Sequence, residues 1–367
     1  MKQIYLFFTK EAGCILLFSF FLIFHTSNVS WAEFLSQQEA KIPPRARVAC
    51  YASSTLGSTF IDPKDLGTHG YRRSSSEKNG IIYTSKAGHI DIAHLRKIID
   101  WTAFLSAKTF DQLIDNKTEF SFKLQEPSLY FVQITYPQYW KDLSQGQKVH
   151  TAYDISIRLG QHFAYTASVW HEILTWFGYK GAGFYPEFQS AFSWEDIFSN
   201  VLGTHIAVLA MRDTEHTFSD AVTKAINWEL KVLEAQPKHT ALHATETVRG
   251  KWFSGDFLFV TMKKRNFDIG LENGFVTPWI VPFDGGYDEA DAPVYPVPNL
   301  NFVFDCGFSI KLEIEPKEWE RNQILKVVYP DANQRKNRLQ PAIHFAPIME
   351  HIKQDAVKKY GPYVGSP

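Results

Sequence analysis

Asp91-Ile92-Ala93-His94 places a carboxylate and an imidazole three residues apart, a spacing that on a helix puts both on one face, where they can converge on one ion. His171-Glu172 and His205 supply the same donor types from two further segments. Together they suit a metal centre in which Asp91, His94, His205 and one of His171 or Glu172 bind the ion. Water in the open position would then be activated, with the remaining carboxylate, Glu172 first, as general base. Zinc is the first choice for these nitrogen and oxygen donors, and iron or manganese suits a helical frame of carboxylates and histidines as well. Cys50 offers a different chemistry: a thiol nucleophile with His89 or His94 as its base. That reading requires a free thiol, and a Cys50–Cys306 disulfide, the favoured pairing in an oxidising compartment, would exclude it.

The competing account of each residue is structural. Asp91 and His94 can be a buried hydrogen-bonded pair that holds two helices in register, and His205 a satisfied core imidazole. Asp196 follows Ser193 by three residues, so it is a capping partner before it is a ligand. His171-Glu172 begins like the zinc-protease motif His-Glu-x-x-His, but residue 175 is Thr and the motif is incomplete.

The elements that carry these residues follow from periodicity. Residues 88–105 predict a first helix, with Ile92, Leu95, Ile98, Ile99, Trp101 and Leu105 on the inner half of the wheel. Arg96, Lys97 and Asp100 fall on an outer, solvated half. A second helix spans 152–177, its stripe of Asp154, Arg158, Gln161, Tyr165, Ser168 and Glu172 opposite the apolar arc. A third spans 194–211, with His205 on its apolar side, and further helices are expected over 219–235 and 240–249. Strands are expected at 81–84, 119–124 and 129–136. Beyond Gly250 strands are expected at 257–261, 266–271, 275–281, 302–304 and 308–314, with a tight turn at Asn273-Gly274. Helices close the chain at 317–326 and 345–359. The fold class is therefore α+β: a helix-rich N-terminal part over 33–250 with the candidate site, and an antiparallel β-sheet in the C-terminal third over 251–367, either separate or continuous with the first.

Residues 1–32 read as a secretory signal peptide: Lys2 and Lys10, then the apolar run 13–24, then Ser30-Trp31-Ala32 before the cut. An exported, periplasmic or envelope-associated protein follows. The 367 residues carry 38 basic against 39 acidic side chains, so no electrostatic footprint for nucleic acid exists. No Gly-x-Ser-x-Gly, phosphate loop or dinucleotide fingerprint is present.

Several of these segments form a recognisable set. Cys50, Gly88-His89-Ile90-Asp91-Ile92-Ala93-His94, Trp170-His171-Glu172-Ile173-x-Thr175-Trp176, Ser190-Ala191-Phe192-Ser193-x-Glu195-Asp196 and Arg265-Asn266-Phe267-Asp268-Ile269-Gly270 resemble a bacterial family of exported proteins known only as a domain of unknown function. The resemblance implies an exported or envelope location and transfers no catalytic residue. Two readings of function stand: a metal-dependent hydrolase of the cell envelope, with the Cys50/His thiol hydrolase as a variant, or a non-catalytic envelope protein that binds a cell-envelope component.

Overall fold

The computed structural model describes residues 35, 40–47, 50–53, 59–180, 187–256, 260–282 and 292–367. The expected signal-peptide segment, 1–32, and residues 257–259 of an expected strand lie outside them. No helix of the described residues is long and apolar enough to cross a membrane.

The hairpin β1 (Ile81–Thr84) and β2 (Gly88–Asp91) pairs Ile81 with Asp91 and leads into a largely buried helix, α1 (Ile92–Ile114). The helix begins four residues later than periodicity suggested, because Asp91 caps it: its side chain accepts the amides of Ala93 and His94. Strands β3 (Glu119–Phe122) and β4 (Leu129–Thr135) follow, then α2 (Gln145–Trp176), opened by a capping box at Ser144 and Gln147. α3 (Asp196–Met211), α4 (Phe218–Val232) and α5 (Lys238–Thr247) complete the helical part.

α2 and α3 both pack on α1, and glycines set the closeness. A Cβ on Gly160 of α2 would stand 2.0 Å from Ser106 Oγ, and one on Gly203 of α3 would stand 2.7 Å from the Leu95 carbonyl oxygen. These two contacts bring the start of α1 within side-chain reach of α2 and α3.

The C-terminal third departs from expectation in arrangement. Its long strand, β9 (Ser309–Glu315), joins β4, giving a three-stranded antiparallel sheet β3-β4-β9 that unites residues on both sides of Gly250. The short strands β5 (Phe253–Ser254), β6 (Thr261–Met262), β7 (Phe275–Val276) and β8 (Tyr295–Pro296) form two small pairs. Residues 266–271 are not a strand: Asn266 and Asp268 accept the amides of Asp268 and Gly270, and these local turns replace ladder bonds. The 302–304 run lies in the short helix α6 (Asn301–Asp305). α7 (Arg321–Val328) and α8 (Pro341–Tyr360) end the chain.

The outer half of α1 is not solvated. Arg96 is 1% exposed, Lys97 7% and Asp100 0%, because residues 40–47 and 66–79 cover this face. Arg47 ion-pairs with both Asp100 and Glu77, His69 Nε2 lies 2.9 Å from Asp100, and Arg45 joins at Glu77. A helical wheel sees only one helix, and this cover arrives from distant sequence. The stripe on α2 is covered likewise: Gln161 reaches the Thr204 carbonyl, Tyr165 the Ile269 carbonyl, and Glu172 is 3% exposed.

Candidate metal centre

The close meeting of α1 and α3 produces the site. His94 Nδ1 lies 2.6 Å from Asp196 Oδ1 and 3.2 Å from Asp91 Oδ2, and ligand atoms of the three residues lie within 4.8 Å of one another, all buried. A carboxylate only accepts, so the imidazole donates. Asp91 is fixed on every side: Oδ1 accepts the Ala93 and His94 amides, Oδ2 accepts the Cys50 amide, and its own amide donates to Ser199 Oγ. Asp196 does not cap its helix as expected. Ser193 Oγ donates to Glu195 instead, leaving the Asp196 carboxylate to turn toward α1.

Two more acids stand beside this triad. Glu195 accepts the Ala52 amide at 2.9 Å and the Ser193 hydroxyl at 2.7 Å, and Glu172 accepts the Phe192 amide at 2.6 Å. Four buried carboxylates around one histidine make a surplus of acid, and it acts on proton affinities. Burial, then the neighbouring Asp196, pushes Glu195 up to about 8. Burial and Asp196 also raise Glu172, against the opposing pull of His171 and His94. Burial alone would lower His94, but Asp196 and then Asp91 outweigh it, against Lys97, and hold the imidazole up to about 10. A proton shared by His94 between two aspartates occupies the place a cation would take. Tetrahedral donors at about 2.1 Å from zinc stand roughly 3.4 Å apart, so the His94–Asp196 pair would open by roughly 0.8 Å to admit one.

The other expected residues lie elsewhere. His205 is nine residues from Asp196, two and a half helical turns, so it sits on the opposite side of α3 about 13 Å along. There its Nε2 donates to the Pro296 carbonyl at 2.8 Å. His171 turns to Glu126, with Nδ1 2.8 Å from Oε1. His89 packs with Tyr83, Trp194 and Thr245 in a second core cluster, and burial depresses it to about 4. Cys50 and Cys306 are not bridged to each other, so the expected disulfide is absent. Burial, then Asp91 and Glu195, pushes the Cys50 thiol up to about 12, which leaves it protonated at neutral pH. Its contribution to the site is the backbone amide on Asp91. Glu195 and Asp196 are the residues that sequence reasoning undervalued. Their signal was two consecutive acids at the head of an otherwise apolar helix.

The fold and site thus define a class: an α+β protein whose three central helices enclose an Asp-His-Asp group able to hold a metal ion. Residues 53–272 match the model of the family described as Protein of unknown function (DUF4056), and the chain belongs to that family. No curated protein and no solved structure matches the chain.

Proposed function

We propose that the protein is a divalent-metal-dependent hydrolase of the cell envelope, with Asp91, His94 and Asp196 as the ion's ligands. The carrying observation is the convergence of three buried ligand atoms, from the cap and first turn of α1 and from the first turn of α3, within 4.8 Å, among carboxylates that exceed the cations beside them. Three protein ligands leave a coordination position open, the pattern of catalytic rather than structural sites. A divalent ion there would polarise a substrate oxygen and acidify bound water. Glu172, held by the Phe192 amide and with its proton affinity raised, is poised to take and return a proton as general base. Export rests on the N-terminal charged and apolar pattern, and the first residue of the protein recovered from cell fractions tests it.

One observation favours the structural reading. Asp91 is fully hydrogen-bonded without an ion, as a helix cap and a clasp on Cys50. Elemental analysis of chelator-free protein beside the Asp91→Ala/His94→Ala double variant decides between the two. Near-stoichiometric zinc, iron or manganese in the wild type, lost in a folded variant, is the expected result. No bound metal in either after incubation with all three ions would make the triad structural.

A further inference from the structure

Lys97 stands one turn beyond His94 on the same face of α1, and it is an unusual lysine. Only 7% of it is exposed, yet its ammonium forms no ion pair or hydrogen bond among the described residues; it stands over the Trp101 ring, 5.2 Å from the centroid. Buried lysines ordinarily find a carboxylate. Lys97 acts electrostatically on His94 on one side and on Glu126 on the other.

Glu126 brings a second cation to the same place. The turn that carries it is pinned: the Ser128 amide and hydroxyl donate to Glu318, and Trp170 of α2 donates to Ser128 Oγ. His171, next along α2, therefore meets Glu126 Oε1 at 2.8 Å, although neither carboxylate oxygen accepts a well-aligned hydrogen bond. The His171 side chain is 18% exposed and His94 6%, against 3% or less for Asp91, Glu126 and Asp196. The open side of the cluster is thus the side of His94, Lys97 and His171. Glu126 there meets both Lys97 and His171, while His171 also acts on the buried Glu172, which accepts the Phe192 amide.

Resting on the metal-site reading above, we propose that Lys97 and His171 form an oxyanion-receiving subsite beside the Asp91–His94–Asp196 centre, so that the substrate carries a carboxylate or phosphate group next to the bond that is cut. Lys97 receives the anion as a point charge, and Trp101 keeps its chain extended. His171, oriented by Glu126, donates to the same group.

The test is calorimetric titration of inorganic phosphate, and separately of acetate, into the zinc-incubated full chain at fixed ionic strength, with zinc content measured on the same samples. Lys97→Met should weaken binding of the preferred anion by about tenfold or more, while Lys97→Arg and the exposed Lys123→Met stay within about threefold. Which of the two anions binds assigns the substrate's acid group. Saturating anion should also shield Lys97 of the wild type from reductive methylation, read by mass spectrometry, which needs no variant to fold. Equal binding by wild type and Lys97→Met, or no binding of either anion at millimolar concentration, overturns the proposal. Absence of zinc in the samples counts against the metal reading alone, since the Lys97 comparison is then decided on the metal-free chain.

Discussion

Two buried charge clusters flank α1 less than three turns apart, and they are built on opposite principles. At Asp100 each charge has an opposite partner: Arg47 bridges Asp100 and Glu77, Arg45 adds to Glu77, and Arg96 lies 3.9 Å from it. Against burial, Arg47 first and then Arg96 hold Glu77 down to about 2. At His94 the carboxylates outnumber their partners, and Glu195 and Glu172 rise instead. Carboxylates that all have cationic partners in a closed cluster cross-link the chain. Surplus carboxylate awaits something positive, which is why only the second cluster is read as a site.

The comparison breaks most readily at its structural half. Arg47→Ala or Asp100→Ala leaves a buried charge uncompensated, and each should cost about 3–5 kcal/mol in a urea melt. Tolerance of either would mean that the network is not closed. A smaller stability effect and a larger binding effect are expected at the other half. Asp196→Asn keeps an acceptor for His94 and relieves Glu195, so metal-free stability should move by less than about 1 kcal/mol while stoichiometric metal is lost. A large destabilisation with metal retained would reverse the two assignments.

Acid and alkali sharpen the contrast, with opposite signs. Glu77 falls from 4.5 to about 2 on folding, so its contribution is present above pH 4.5 and is lost as pH falls toward 2. Glu195 rises from 4.5 to about 8, so its contribution is present below pH 4.5 and is lost as pH rises toward 8. Urea midpoints of metal-free protein should therefore lose their acid-side fall in Glu77→Gln and their alkaline-side fall in Glu195→Gln. The same pH dependence in both variants would show that the clusters are not electrostatically distinct.

Much of the local structure was legible. The strand at 81–84, the β3–β4 hairpin and the presence of three long helices follow from apolar spacing and caps, which are properties of neighbouring residues, although the helices expected at 88–105, 152–177 and 194–211 run over 92–114, 145–176 and 196–211. Asp91 and His94 were legible as a pair for the same reason. Asp100 and Lys97 were misplaced as solvated because their cover comes from residues 40–47, 66–79 and 126, and Asp196 was read as a cap because its partner lies on another helix. The strands expected at 266–271 and 302–304 failed where side-chain turns and a short helix satisfied the backbone instead.

By itself, then, the sequence determined that long helices run through these three stretches, though not where they end, and that Asp91 and His94 face the same way, since these depend on interactions within a few residues. Tertiary structure alone decided that Asp196, rather than His205 or His171, completes their group. Gly160 and Gly203 allow α2 and α3 to lie so close on α1 that one face of each helix is chosen and the other excluded. Proton affinities around His94 then follow from which charges that packing encloses together.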